Sequence, residues 1–128
     1  MFIPAHTLVQ AARQSITECA PADICARLQA PDALLIDVRE PDEYCQGHIA
    51  GAVNIPRGLL EFRISSDPAL QDVTRPVIVY CKTSGRAALS AIALRAMGFE
   101  NVVSLAGGFE AWQDDCRPVV QPRDLSFE

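Results

Sequence analysis

Two short runs of almost unbroken apolar residues constrain this chain most: Ala33-Leu34-Leu35-Ile36-Asp37-Val38 and Pro76-Val77-Ile78-Val79-Tyr80-Cys81. A strand with one wet face alternates apolar and polar residues. A short run without that alternation suits a strand buried on both faces, as in a parallel sheet covered by helices on each side. Residues 52–55 and 101–104 are shorter candidates of the same kind. Helix-like stretches lie between them, at 41–44, 58–64, 85–97 and 109–115. In the third, Leu89, Ile92, Ala93 and Ala96 share a side and Gly98 is a natural stop. Upstream, Ala5, Leu8, Val9, Ala12 and Ile16 have the spacing of an amphipathic helix. Residues 16–19 suit a short edge strand, and Pro21 suits the first turn of a second helix carrying Ile24, Cys25 and Leu28. Strands alternating with helices predict an α/β domain with a mainly parallel sheet.

The chain has 128 residues, 49% of them hydrophobic, enough for one continuous core. It reads as an N-terminal helical extension packed on the domain (1–20), a main domain (21–116) and a tail (117–128). The tail has little periodicity and is expected to be loosely packed or disordered. Eleven basic against sixteen acidic residues give a net charge of −5. A general nucleic-acid binder needs a basic face, so that class is excluded, although a small local anion site is not. No apolar run approaches the roughly 18 residues of a membrane span. The N-terminus has no positive charge ahead of its apolar part and no small-residue cleavage pattern, which leads to the expectation of a cytoplasmic protein. The five cysteines, 19, 25, 45, 81 and 116, are then expected to be reduced thiols. With no C-x-x-C pair, neither a metal nor any other cofactor is expected.

Chemistry concentrates at Cys81-Lys82-Thr83-Ser84-Gly85-Arg86. In an open α/β sheet, ligands bind beyond the carboxyl ends of the strands. A tight loop from strand to helix can turn its amides inward as an anion-binding nest, with a helix N-terminus behind it. Lys82, Thr83, Ser84 and Arg86 add donors or positive charge, and Gly85 permits the turn. Lowering a thiol pKa by about two units takes about 2.7 kcal/mol. A helix dipole supplies about 0.3–1 kcal/mol, whereas a cation about 4 Å away supplies about 4 kcal/mol at an effective dielectric near 20. Cation and amides together predict a Cys81 thiolate, with an inflection in reactivity below about pH 7.5.

Around this loop the chain resembles the rhodanese family of sulfurtransferase domains. Glu43-Tyr44-Cys45-Gln46-Gly47-His48-Ile49-Ala50-Gly51-Ala52 resembles the family's E-[YF]-x-x-G-H-I-x-G-A signature, followed by Asn54-Ile55-Pro56. Leu35-Ile36-Asp37-Val38-Arg39-Glu40 resembles its first buried strand and turn. Val79-Tyr80-Cys81 with Arg86 resembles its catalytic loop, and Gly98-Phe99, Asn101-Val102 and Leu105 to Trp112 its final strand, loop and helix. Many relatives carry Gly three residues after the cysteine; here that residue is Ser84, and Gly85 follows.

The resemblance implies a central, mostly parallel five-stranded sheet flanked by helices, and a sulfur cycle at Cys81. Its thiolate would take the outer sulfur of a small sulfur-containing anion such as thiosulfate. The resulting persulfide would pass that sulfur to cyanide, a thiol or a protein. Lys82, Thr83, Ser84, Gly85 and Arg86 would bind substrate, and Asp37 and Arg39 would brace the rim. By composition alone, the cluster Asp37, Arg39, Glu40, Asp42 and Glu43 reads as a solvated, ion-paired loop. His48 reads as structural and Trp112 as a packing anchor. Two alternatives carry different chemistry. One is a non-catalytic sulfur carrier or binding module. The other is a cysteine phosphatase or arsenate reductase; related phosphatases have five residues between Cys and Arg, and here there are four.

Overall fold

The computed structural model describes residues 1–122. Its elements are α1 (Ala5–Ser15), β1 (Thr17–Cys19), α2 (Pro21–Arg27), β2 (Leu34–Asp37), α3 (Pro41–Gln46), β3 (Val53–Asn54), α4 (Leu60–Ser66), β4 (Val77–Tyr80), α5 (Gly85–Ala96), β5 (Val102–Leu105) and α6 (Gly108–Asp114). Short 3-10 turns at Arg57–Leu59 and Pro68–Leu70 flank α4. The five strands form one sheet in the order β1-β5-β4-β2-β3, every pair parallel. The expected five-stranded α/β architecture is therefore present, and all of its strands run the same way.

Successive side chains along a strand point to opposite faces, which explains the two apolar runs. Leu34, Ile36, Val77, Val79 and Cys81 face the α4–α5 side. Leu35, Ile78 and Tyr80 face the other side, against Ile24, Phe109 and Trp112. Helix α5 differs from expectation in its orientation. Ala87, Ala91 and Leu94 enter the core, while Leu89, Ile92 and Ala93 are only half-buried and Ala96 is exposed. The helix is covered on a second side by α1, so it has no single apolar stripe for sequence periodicity to find. Arg95 Nη1 donates to the Ser15 carbonyl and Arg13 pairs with Glu18, which ties the end of α1 to α5 and β1.

The described part of the C-terminal stretch is held by specific bonds. Trp112 Nε1 donates to the Pro118 carbonyl at 2.8 Å, and His48 and Val120 exchange N–H···O bonds at 2.8 and 2.9 Å. The remainder of the tail, 123–128, lies outside the described residues.

The chain reverses its direction across the sheet between β2 and β4: the connection after β2 leads one way to β3, and that after β4 leads the other way to β5. Asp37 and Tyr80 pair in register there. Cys81 follows at the carboxyl end of β4, at the switch point where open α/β sheets form their crevice. Helix α6 closes over the loop after β4. Its first amides, of Phe109 and Glu110, donate to the carbonyls of Cys81 and Lys82 at 2.8 and 3.1 Å.

That approach depends on Gly108. At φ +63° it is in the left-handed region, and a Cβ there would lie 2.2 Å from the Thr83 carbonyl oxygen and 2.6 Å from that of Cys81. Gly51, at φ +85°, has nothing within 4 Å. Gly51→Ala is therefore expected to cost only the left-handed penalty of about 1–2 kcal/mol. Gly108→Ala adds an overpacking term of about 1–3 kcal/mol. Urea unfolding of the two variants checks this; equal midpoints would show that the contact between α6 and the loop is slack.

Candidate active site

Cys81 Sγ is 1% exposed, walled on one side by the α4–α5 core and approached on the other by its own loop. The amide of Ala87, in the first turn of α5, donates to Sγ at 3.3 Å. The amides of Thr83 and Arg86 also favour the charged sulfur. The direction of the Thr83 amide follows from α6. In a trans peptide the C=O and N–H point opposite ways. Once the Lys82 carbonyl is held by Glu110 N–H, the Thr83 N–H must face away from α6, towards the sulfur.

The sequence expectation of a thiolate meets an opposing effect in the structure. Burial pushes the Cys81 thiol up from its ordinary value. The Ala87 amide, the Arg86 charge and the Thr83 and Arg86 amides pull it down, and burial outweighs them. Desolvation is large because Cys81 lies deeper than a strand-end loop suggests. Nor is the Arg86 charge free, as the loop sequence alone suggests. Arg86 Nη1 and Nη2 instead form a two-pronged pair with Glu43 at 2.7 and 3.1 Å. The Arg86 hydrogen bond is the main cause holding the Glu43 carboxyl down to about 2.

Asp37 and Arg39 are not part of a solvated loop. The Asp37 side chain is 0% exposed and that of Arg39 5%. Arg39 Nε and Nη2 bond the Asp37 carboxylate at 2.7–3.2 Å, Nη2 also donates to the Gly47 carbonyl at 2.7 Å, and the guanidinium lies 4.3 Å over the Phe109 ring. A charge cluster in sequence looks wet because its partners are distant; here Gly47 and Phe109 supply a dry seat. Glu40 and Asp42 do remain exposed.

Lys82 and Thr83 are exposed at the tip, and Ser84 and Gly85 are half-buried. Gly85 faces Val9 of α1, 3.6 Å from where a Cβ would stand. Beside the loop opens a groove of about 340 Å³ lined by Arg39, Glu43, Lys82, Phe109 and Glu110, with Gln46 and Gln113. His48 is buried, stacked on Tyr44 at 3.7 Å, with Nδ1 3.0 Å from the Tyr44 carbonyl; this is a structural placement. Cys45 and Cys116 are exposed, Cys25 half-buried and Cys19 buried.

Two contributors escaped the sequence reading. Gly107-Gly108 was legible only as part of the Leu105–Trp112 stretch, and Glu43 only as a signature residue and one charge in a cluster. The Glu43–Arg86 pair has a pH signature. A carboxyl held low in the fold adds stability that is present above its unfolded value of about 4.3 and is lost as pH falls towards about 2. Glu43→Gln is expected to flatten the decline in stability across that window, measured by urea midpoints at pH 6 and pH 3; an unchanged decline would mean that the pair contributes nothing.

A family model described as Rhodanese-like domain matches residues 20–115. A protein of Allochromatium vinosum named sulfurtransferase is 35% identical over 91 residues, covering 71% of this chain and 81% of that one. A Rhodopseudomonas palustris structure described as "Possible Tyrosine Phosphatase" superposes with a TM-score of 0.85 at 30% identity, covering 94% of this chain and 96% of the other. The polysulfide-sulfur transferase homodimer of Wolinella succinogenes gives a TM-score of 0.76 at 32% identity, covering 94% and 90%. With a matching family model across all but the chain's ends and a sulfurtransferase relative matched over most of its length, the chain belongs to the rhodanese-like family of sulfurtransferases.

Proposed function

We propose that this protein moves a sulfane sulfur from thiosulfate or a similar donor to a thiophilic acceptor through a persulfide on Cys81. The observation that carries the proposal is the cup around Sγ, with the Ala87 amide at 3.3 Å and the Cys81 and Lys82 carbonyls turned away into α6. In the first step the Cys81 thiolate attacks the outer sulfur of the donor. The new S–S bond forms as the donor's own bond to that sulfur breaks, and the electron pair leaves with the donor remnant, sulfite in the case of thiosulfate. In the second step an acceptor thiolate or cyanide attacks the outer sulfur, and the electron pair returns to Sγ.

A raised thiol pKa is compatible with this cycle. Each unit of elevation costs about tenfold in thiolate fraction, but the more basic thiolate regains roughly threefold in intrinsic nucleophilicity. The persulfide then extends the charge beyond the apolar wall towards the amides. Lys82 and the backbone of Thr83, Ser84, Gly85 and Arg86 form the surface that meets the substrate, while Asp37 and Arg39 act as buried bracing.

Phosphate-ester chemistry fits less well. A phosphate dianion needs the loop arginine free, but Arg86 is held by Glu43, whose carboxylate would repel the dianion. The loop also has only four residues between Cys81 and Arg86.

Incubation with thiosulfate or polysulfide is expected to add one sulfur mass to the peptide bearing Cys81. Cys81→Ser is expected to abolish sulfur transfer to cyanide, while Cys45→Ser retains at least about a tenth of it; equal loss in both would contradict a single-nucleophile cycle. Alkylation of Cys81 by iodoacetamide is expected to titrate above the ordinary thiol value of about 8.5, and Glu43→Gln, by freeing Arg86, is expected to move that inflection down. A wild-type inflection below that value would show that the amide cup outweighs burial after all.

A further inference from the structure

We infer that Ser90 is a positioning residue for the reaction: its hydroxyl holds and polarises the peptide group whose amide meets the Cys81 sulfur. This rests on the reading of Cys81 as the reacting thiol and adds to its site a residue that lies behind the loop.

Ser90 is an unfavourable choice for its place in the helix. It lies inside α5, 0% exposed, among Ala87, Ala88 and Ala91, which are also 0% exposed. Alanine would fit the same small space and is the better helix former. A serine inside a helix that bonds back to the carbonyl four residues earlier slightly weakens the helix. Ser90 makes that bond: its Oγ donates to the Arg86 carbonyl at 2.7 Å. In the regular helical pattern the same carbonyl also accepts the Ser90 amide, so the hydroxyl is not needed to satisfy it.

The effect of the bond lies on the far side of the same peptide group. The Arg86 carbonyl and the Ala87 N–H belong to one planar peptide and point opposite ways. The Ala87 N–H is the donor to Cys81 Sγ at 3.3 Å. Hydroxyl, peptide and sulfur therefore form a chain of two hydrogen bonds, and bonds in such a chain strengthen one another by about 10–30%. The arrangement repeats on the other flank of the loop. There the Glu110 N–H holds the Lys82 carbonyl, and the Thr83 N–H of that peptide favours the charged sulfur.

In the proposed cycle Sγ carries charge twice, before it attacks the donor and when the electron pair returns to it. Both times the Ala87 amide is its hydrogen-bond donor. Arg86, paired with Glu43, supplies the charge that acts on the sulfur, and the α4 side of its surroundings is apolar, with Leu60 and Ile64. Removing the Ser90 hydroxyl leaves all of these groups in place, so a change at Cys81 reports the hydrogen-bonded chain alone.

The test follows Cys81 ionisation by NMR, through its Cβ resonance and the Ala87 amide proton. Ser90→Ala is expected to raise the Cys81 inflection by about 0.1–0.7 pH unit, the equivalent of losing about 10–30% of one charge-assisted hydrogen bond. The displacement of the Ala87 amide proton on Cys81 ionisation is expected to shrink. That displacement is measured within each variant, so the static effect of the substitution cancels. The urea midpoint is expected to stay level or rise, as alanine is the better helix former. Ser104→Ala is the control: Ser104 is also 0% exposed, but its hydroxyl has no hydrogen-bond partner, and its loss is expected to leave the Cys81 inflection where it is. Ser90→Thr, whose hydroxyl can reach the same carbonyl, is expected to restore the wild-type inflection; the two alanine variants decide the matter if the added methyl disturbs the packing. An inflection unmoved by Ser90→Ala, or moved equally by Ser104→Ala, would overturn the inference. A lowered urea midpoint with an unmoved inflection would overturn it too and give the hydroxyl a purely structural role. A failure of Cys81 to acquire sulfur from any donor would overturn the transfer reading instead, and the ionisation measurements would stand apart from it.

Discussion

Two hydrogen bonds from the start of α6 organise the loop after β4. By holding the carbonyls of Cys81 and Lys82, Phe109 and Glu110 leave the amides of Lys82 and Thr83 one direction to point. The same bonds satisfy orphan N–H groups of the α6 first turn, which need partners in any case. Gly108 makes the approach possible, since any side chain there would occupy the space of the Thr83 carbonyl. One side of the sulfur's environment is thus set by α6 through the loop, and the other by the Ala87 amide of α5.

The charges near that sulfur are arranged in pairs. Asp37 holds Arg39 in a dry seat, and Glu43 holds Arg86. Near them lies a buried thiol whose burial disfavours its charged form. A fully armed thiolate would be exposed to adventitious oxidation. A shielded thiol with amides already in position needs only the incoming sulfur to move charge outward. In the proposed cycle, Glu43 sets how much of the Arg86 field reaches that charge.

Much of this was legible in the chain. The run ending at Tyr80 announced a strand buried on both faces, and the Cys81–Arg86 loop stood at the strand end where α/β sheets bind ligands. The signature from Glu43 to Ala52 and the Leu105–Trp112 stretch placed the family. What could not be read was non-local. Arg86 and Glu43 are 43 residues apart, and nothing in either neighbourhood names the other. Asp37 and Arg39 looked solvated because Gly47 and Phe109, which bury Arg39, come from other segments. The core face of α5 did not stand out in the sequence because α1 covers its second side. The depth of Cys81, and with it the sign of its pKa shift, depended on the packing of α4 and α5 against the strand end.

The most direct test is a crystal structure of the protein after exposure to a sulfane-sulfur donor. The account predicts extra density on Cys81 alone, with the outer sulfur within hydrogen-bond reach of loop amides between 83 and 87 and the Cys81 and Lys82 carbonyls still held by α6. An outer sulfur turned into the apolar wall with those amides facing solvent, or sulfur carried by Cys45 instead, would contradict it.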